Sequence, residues 1–401
     1  MPSPKPFKLD ISSNELDWIT DRIKTARLVP DITHPPTQEW EHGVPTAIMV
    51  DYVNYWKEKY GWKRTEAKIN ETYKMFSVDL EEAGQVISLH FVHHRSRRED
   101  AVPLLFVHGN FTEVESLLAL TDPEDPKRQA FHIVAPSLPG FAFSSPPTKP
   151  GFGAPQIASL FNQLMLTLGY QQYIGQGGDW GSFILRRMAF HYPASCVGIH
   201  LNYVIAFPPS PFQHPITLFY IISGWFTQDQ KARLARLNWW MEKESGYRHI
   251  QQTKPQTLCY GLNDSPIGML AWILDKLTPL ADKNYVWDKD LVITWTMLYL
   301  LSGNAGHARL YTEVDQEVFS LKIPRQVAVG FSAFPSDVGY IPKWWADAVV
   351  AEDIVFWKEH DKGGHFASVE CGDALVEDVQ SFVGLIREKG DPKRYEALIA
   401  H

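Results

Sequence analysis

The chain has 401 residues, of which 45% are hydrophobic and 21% are charged, so it is long and apolar enough to bury a large core. With 46 acidic and 38 basic residues it carries a formal net charge of -8 without a basic stripe, which argues against nucleic acid as a partner. Its three widely spaced cysteines fit neither a disulfide framework nor a zinc site, and no apolar run suits a secretory signal or a bilayer span. A cytoplasmic protein without a membrane anchor is therefore expected.

Residues 1–90 predict an N-terminal extension that wraps the main domain. Amphipathic helical patterns begin at Ser12 and at Val50. The stretches FSVDL from Phe76 and QVISLHFV from Gln85 both alternate apolar and polar residues. This alternation predicts a strand pair at the end of the extension.

Residues 91–206 predict the first part of an α/β core. Short apolar runs that are typical of buried parallel strands begin at Val102, Phe131, Tyr173 and Val197. Helical patterns, among them APQIASLFNQLMLTLG and SFILRRMAFHYP, lie between them. Strands that alternate with helices predict a mostly parallel central sheet with helices on both faces.

Residues 207–321 break this rhythm, because aromatic-rich helical patterns dominate there and no parallel-strand pattern occurs. The strand patterns return in residues 322–401 with PRQVAVGF and EDIVFW, and an amphipathic helix follows near residues 372–388. The sequence therefore predicts a helical lid that is inserted into the core, and residues 322–401 are expected to form the core's second part.

The stretch YIGQGGDWGSF, which begins at Tyr173, has the form of a nucleophile elbow. Asp179 stands where many hydrolases carry serine, and Gly177, Gly178 and Gly181 provide the small neighbours that a tight strand-to-helix turn requires. A helix-capping aspartate after a glycine-rich turn is the simpler interpretation. As a nucleophile, a carboxylate suits attack on a strained sp³ carbon, which gives an ester that water must then hydrolyse.

Partners for such a nucleophile follow it along the chain in the order acid, then histidine. His365 lies on the glycine-rich loop DKGGHFA after the last predicted strand, and Asp337 follows the strand before it. We predict that His365 is the general base and that Asp337 orients its ring. Asp347 and Asp353 are competing acids, but their stretches indicate a helix or the start of a strand.

The first predicted core strand ends in the loop HGNF from His108. Elbow hydrolases place an oxyanion-hole amide in this loop, so we predict the backbone N–H groups of Asn110 and Trp180 as the donors. An ordinary β-turn is the competing interpretation of the same residues.

Several longer motifs together resemble the microsomal-type epoxide hydrolases, which have the α/β-hydrolase fold. The resemblance extends over nearly the whole chain, includes the N-terminal extension from Pro6, and is closest in layout to the soluble fungal enzymes. The motifs are QGGDWGS from Gln176, SLPGFAFSSPP from Ser137, ESGYRHIQQTKPQT from Glu244, LNDSPIGMLAWILDK from Leu262, RLYTEV from Arg309 and GGHFAS from Gly363.

The resemblance implies an enzyme that opens a small hydrophobic epoxide to a vicinal diol without a cofactor or a metal, and a homodimer is a family habit. It implies Asp179 as nucleophile, His365 as base and Asp337 as the relay acid. It also implies that two lid tyrosines, Tyr247 and Tyr311, hydrogen-bond the epoxide oxygen. The remaining pocket residues that we predict are His108, Phe111, Phe183, Trp272 and Phe366.

One departure from the family pattern leaves other functions open. The family's oxyanion loop reads HGWPG, whereas this chain has HGNFT and lacks the proline. The changed loop could accommodate a bulky substrate, or an internal hydroxyl could open the epoxide, as in a cyclase of natural-product metabolism. A haloalkane dehalogenase and a non-catalytic binding protein are further alternatives.

Overall fold

The computed structural model describes residues 2–32, 39–303, 305–389, 396 and 398–399. Within these residues, nine strands form one sheet. They are β1 (Lys5–Pro6), β2 (Met75–Glu82), β3 (Gln85–His94), β4 (Val102–Val107), β5 (Phe131–Pro136), β6 (Tyr173–Gly177), β7 (Cys196–Leu201), β8 (Ala328–Ala333) and β9 (Ile354–Glu359). Their spatial order is β1-β2-β3-β5-β4-β6-β7-β8-β9.

The sheet is antiparallel at one edge and parallel from β5 through β9. The strand pair that was predicted from Phe76 and Gln85 is confirmed as the antiparallel pair β2 and β3. The four apolar runs of the core form β4 to β7, which confirms the predicted mostly parallel sheet. All residues of these four strands are buried, as expected for parallel strands that are covered on both sides.

Helices connect the strands and cover the sheet. Those within the described residues are α1 (Ser13–Lys24), α2 (Thr46–Glu58), α3 (Trp62–Thr72), α4 (Ala154–Thr167), α5 (Trp180–His191), α6 (Pro215–Ile222), α7 (Gln228–Trp239), α8 (Gly246–Thr253), α9 (Pro255–Asp264), α10 (Pro266–Leu280), α11 (Lys289–Leu301), α12 (Gly306–Arg309), α13 (Lys343–Val349), α14 (Ala367–Glu370) and α15 (Gly372–Lys389). Among the described residues, no helix combines the length and the apolar character that a bilayer crossing requires.

Successive residues of β4 divide the hydrophobic core into two parts, because neighbouring side chains on a strand point to opposite faces. Leu105 and Val107 belong to one cluster, which includes apolar residues of α4 and α5. Leu104 and Phe106 belong to a second cluster, which includes residues of α1, α2 and α15. Helices therefore cover both faces of the sheet, as predicted.

Residues of the N-terminal extension contact the helices between β7 and β8. The hydroxyl groups of Tyr60 and Thr294 lie 3.1 Å apart, and the Tyr55 hydroxyl donates to Asp290 at 3.1 Å. Arg22 pairs with Asp264 at 2.6 Å. These contacts attach the extension to α9 and α11, while the exact domain boundaries remain a prediction.

A buried carboxylate attaches α15 to the sheet. Asp378, which is 0% exposed, accepts hydrogen bonds from the Ser332 hydroxyl at 2.6 Å, His360 Nε2 at 2.6 Å and Lys358 Nζ at 2.7 Å. Desolvation alone would raise the pKa of Asp378, but these three donors lower it to about 2. The ionised carboxylate therefore stabilises the fold.

We expect Asp378→Asn to lower the free energy of unfolding at pH 7 by about 2 kcal/mol, because the pKa in the folded state lies about two units below its unfolded value. A lowered acid pKa stabilises the fold above the unfolded pKa near 4 and loses this effect as pH falls towards 2. The difference between variant and parent should therefore shrink between pH 4 and pH 2 in urea unfolding curves.

The control is Asp347→Asn, because Asp347 forms an ion pair of the same length, 2.7 Å, with Lys343 on the exposed face of α13. Loss of this exposed ion pair should lower the free energy of unfolding by less than about 0.5 kcal/mol. Equal stabilities of the Asp378 variant and the parent at pH 7 would contradict the assignment.

Candidate active site

Asp179 lies in a strained turn between β6 and α5. Its backbone has φ 47° and ψ -130°, a conformation that residues other than glycine rarely adopt. A Cβ atom on Gly181 would lie 1.8 Å from the Val107 carbonyl oxygen, and one on Gly177 would lie 2.6 Å from the same atom. Only glycine at these positions lets the turn pack against β4, so the local sequence produces the elbow and exposes the carboxylate.

The loops after β8 and β9 bring Asp337 and His365 to this turn. His365 Nε2 lies 3.8 Å from Asp179 Oδ2, and His365 Nδ1 donates to Asp337 Oδ1 at 2.9 Å. Asp337 Oδ1 also accepts from the Val338 amide at 2.7 Å. The competing Asp347 lies on α13 instead, paired with Lys343. The arrangement fixes one ring nitrogen of His365 and directs the other towards Asp179.

The charges of these groups reinforce one another. Desolvation alone would lower the pKa of His365, but Asp337 and Asp179 raise it well above its usual value. Desolvation would likewise raise the pKa of Asp179, yet His365, His108 and the Trp180 amide hold it below its usual value. Asp179 and His365 therefore each favour the charged form of the other.

Tyr247, on α8, and Tyr311, in the 3-10 turn Leu310–Glu313, face Asp179 from the segment between β7 and β8. Their ring centroids lie 6.0 Å apart, and the ring planes are inclined at 77°. The Tyr311 ring also packs edge-on against Trp180 at 5.1 Å. Burial raises the pKa of both phenols, so both remain protonated donors through the neutral range.

The two predicted oxyanion donors differ in their surroundings. The Trp180 amide is close enough to the Asp179 carboxylate to help lower its pKa, and its role as an oxyanion donor stays a prediction. The Asn110 amide instead donates to Glu113 Oε1 at 3.2 Å, which corrects the predicted role of Asn110 in this conformation. The physical reason is a capping box, in which Glu113 reaches back to the amide of the residue that caps the 3-10 helix Phe111–Leu120.

A cavity of about 110 Å³ joins Asp179, His365 and the two tyrosines. Of the predicted pocket residues, His108, Trp272 and Phe366 line it. Pockets for drug-sized ligands measure about 300 Å³ or more, so a bulky substrate would need the helices over the site to move.

Contrary to the prediction, Phe111 and Phe183 do not line this cavity. Phe111 packs edge-on against Tyr73 at 5.6 Å, towards the N-terminal extension. Phe183 packs edge-on against Tyr203 at 5.8 Å and Phe319 at 5.4 Å. Both rings pack against other aromatic side chains in the core, which is the more common role of an isolated aromatic residue.

Other residues of the cavity wall were not recognised in the sequence. They include Glu113, Gln251, Lys276, Tyr299 and His307. The Lys276 ammonium group lies 4.7 Å from the centre of the Tyr247 ring. Only Glu113 carries a sequence signal, since its spacing from Asn110 fits a capping box.

The His365 loop is attached to the C-terminal end of α10. The His365 amide donates to the Leu280 carbonyl at 3.0 Å, and the Gly363 amide donates to Asp282 Oδ2 at 2.9 Å. In the opposite direction, Glu370 Oε2 accepts from the Asp282 amide at 2.6 Å. A Cβ atom on Gly364 would lie 2.5 Å from the Leu280 carbonyl oxygen, so the two segments are in close contact.

The chain is similar in sequence to known epoxide hydrolases. Residues 4–113 match the family model described as epoxide hydrolase N terminus, and residues 102–242 match the alpha/beta hydrolase fold. A relative from Stigmatella aurantiaca is 34% identical, with 96% of this chain and 86% of the relative covered. Epoxide hydrolase 1 of Sus scrofa is 30% identical, with 96% and 90% covered.

Two solved structures of epoxide hydrolases are also similar to this chain over nearly its whole length. The Aspergillus niger epoxide hydrolase superposes with a TM-score of 0.83 at 29% identity, covering 95% of this chain and 96% of that chain. The juvenile hormone epoxide hydrolase of the silkworm Bombyx mori superposes with a TM-score of 0.86 at 28% identity, covering 98% and 96%.

Proposed function

The chain belongs to the epoxide hydrolase family, and from this premise we propose that it opens its epoxide through a covalent ester on Asp179. The observation that carries the proposal is the position of the Asp179 carboxylate, which shares one cavity with an imidazole 3.8 Å away and with two phenols whose rings lie 6.0 Å apart. The nucleophile Asp179, the base His365 and the two tyrosine proton donors thus line the same cavity.

In the first step, an oxygen of Asp179 attacks an epoxide carbon and the carbon–oxygen bond of the ring breaks. Tyr247 and Tyr311 donate hydrogen bonds to the departing oxygen, and one of them transfers its proton to the alkoxide. Phenols suit this role, because their donation strengthens as negative charge develops on the oxygen. The product of this step is a hydroxyalkyl ester of Asp179.

In the second step, His365 removes a proton from a water that attacks the ester carbonyl carbon. Formation of the ester removes the Asp179 charge, which is one of the two anions that raise the pKa of His365. The imidazole therefore loses its proton more readily once the ester exists. That proton restores the phenol that was deprotonated in the first step, and the neutral imidazole then takes a proton from the attacking water. Collapse of the tetrahedral intermediate breaks the bond between the Asp179 carbonyl carbon and the ester oxygen, the second hydrogen of the water protonates the departing alkoxide, and the products are a vicinal diol and the Asp179 carboxylate.

The test is a single turnover in oxygen-18 water with enzyme in excess over styrene oxide. Because water attacks the ester carbonyl, the first diol should contain no oxygen-18, and the peptide that carries Asp179 should become heavier by one oxygen-18 atom. Mass spectrometry of the diol and of the digested protein measures both. Label in the first diol would show direct attack of water on the epoxide and would overturn the ester mechanism.

The other functions that the sequence left open make different predictions. A haloalkane dehalogenase would use the Trp180 indole to bind halide, but this ring packs edge-on against Tyr311 at 5.1 Å. A cyclase would give a product with the mass of its substrate, whereas hydrolysis adds one water. Product mass therefore separates these two outcomes for an epoxide that also carries a hydroxyl group within reach of the ring.

A further inference from the structure

Glu113 is a buried carboxylate in the cavity wall that the proposed mechanism does not use. It is 2% exposed, and it lines the same cavity as Asp179. His108 Nδ1 donates to it at 2.9 Å, and the Asn110 amide donates to it at 3.2 Å. A carboxylate in such a position has a strong effect on any charge that develops nearby, because few water molecules screen it.

The loop around Glu113 holds this arrangement in place. Asn110 caps the 3-10 helix, since its side-chain oxygen accepts from the Thr112 amide at 3.0 Å. Glu113 completes the capping box from the other side. The Thr112 hydroxyl is in turn the acceptor for the Trp295 indole at 2.9 Å, so the loop is also tied to α11.

This arrangement affects ester hydrolysis specifically. Elbow hydrolases stabilise the tetrahedral oxyanion with two amides, one after the nucleophile and one in the loop that follows the first core strand. The Trp180 amide follows Asp179 directly in the chain and opens α5, but the Asn110 amide is held by Glu113 at 3.2 Å. An oxyanion that used the Asn110 amide would have to share this donor with another anion, and like charges in close contact are unfavourable.

We propose that Glu113 is a positioning residue that prolongs the lifetime of the Asp179 ester, because its carboxylate binds the Asn110 amide and its negative charge disfavours an oxyanion that shares this donor. The inference rests on the proposed ester mechanism. It concerns the second step alone, since the epoxide oxygen is bound by Tyr247 and Tyr311. Ester hydrolysis is then slower than epoxide opening, and the ester is the main form of the enzyme during turnover.

The test is Glu113→Gln. Glutamine also forms a capping box, so it keeps the acceptor for the Asn110 amide but removes the negative charge. We expect the ester to disappear about tenfold faster, while the rate of its formation changes less than about twofold. Rapid mixing with styrene oxide, acid quenching and intact-protein mass spectrometry give both rates and the fraction of enzyme that carries the ester.

Glu115→Gln is the matched control, because Glu115 is exposed, lies two residues away and accepts from the Tyr73 hydroxyl at 3.0 Å. It should leave both rates unchanged. Glu113→Ser, which removes the charge and the acceptor together, should also speed ester loss and provides a second variant. The rate of ester formation reports in each variant whether the site is folded.

Unchanged or slower ester loss in Glu113→Gln and Glu113→Ser, with normal ester formation, would overturn the role of Glu113. Absence of detectable ester in the parent enzyme would also overturn it, whereas oxygen-18 in the first diol would overturn the proposed mechanism instead. The two failures are thus distinguishable in one set of measurements. A faster ester loss in Glu115→Gln as well would point to a general effect of charge and would also overturn the inference.

Discussion

Replacing His365 by glutamine should stop the reaction at the ester, and diol formation should fall by about 10³- to 10⁴-fold. Epoxide opening needs only the Asp179 carboxylate and the two phenols, so it should continue. One equivalent of ester per chain should therefore accumulate. Intact-protein mass spectrometry detects it as the protein mass plus the mass of the epoxide.

His307→Gln is the control for this experiment. His307 lines the same cavity and is 4% exposed. Its replacement is therefore the same histidine-to-glutamine change in the same cavity, at a residue with no role in the proposed mechanism. We expect less than about a tenfold loss of diol formation and no accumulated ester. If His365→Gln lost activity without accumulating ester, His365 would be needed for epoxide opening, and its assignment as base of the second step would be wrong.

Tyr247→Phe combined with Tyr311→Phe should lower the rate of ester formation by about 10⁴-fold, and each single variant by about 10²-fold. Either phenol alone can still donate to the epoxide oxygen, whereas the double variant leaves the alkoxide without a donor. Because burial raises the pKa of both phenols, the effect should be constant through the neutral pH range. Quenched-flow measurement of ester formation between pH 6 and pH 9 tests both statements.

Tyr299→Phe is the matched change, since Tyr299 also lines the cavity and its pKa is likewise raised by burial. Its rate of ester formation should stay within about threefold of the parent rate. An equal loss in Tyr299→Phe and in the double variant would mean that phenol removal damages the cavity in general. Slower loss of the ester in the double variant would show that the phenols also act in the second step.

The core strands could be predicted closely from the sequence because nothing else fits their pattern. A run such as the one from Phe131 to Pro136 is too short for a helix and too apolar for a loop, and it forms β5 with the predicted bounds. The run from Pro324 was less exact, since β8 begins only at Ala328. The amide of Val327 donates to the Pro324 carbonyl at 3.0 Å, so the first residues form a turn.

The parts of the site that depend on chain order and glycine spacing could be predicted from the sequence. The parts that depend on which hydrogen-bond acceptor a given donor finds could not. Asp179, Asp337 and His365 lie together because parallel strands end at one edge of the sheet. The role of Asn110 depends instead on which acceptor its amide finds, and Glu113 was overlooked as that acceptor. Tyr247 and Tyr311 came from the family resemblance alone, since a lone tyrosine pattern carries no such information.

The backbone hydrogen bonds between the His365 loop and the end of α10 have a consequence for how the enzyme cycles. Any displacement of α10 that widens the entrance carries the imidazole with it, away from the carboxylate. Admission of a new substrate molecule and attack of water on the intermediate then belong to separate conformations. In a catalytic cycle that uses such a displacement, the interval between successive product molecules includes one complete opening and closing of this helix.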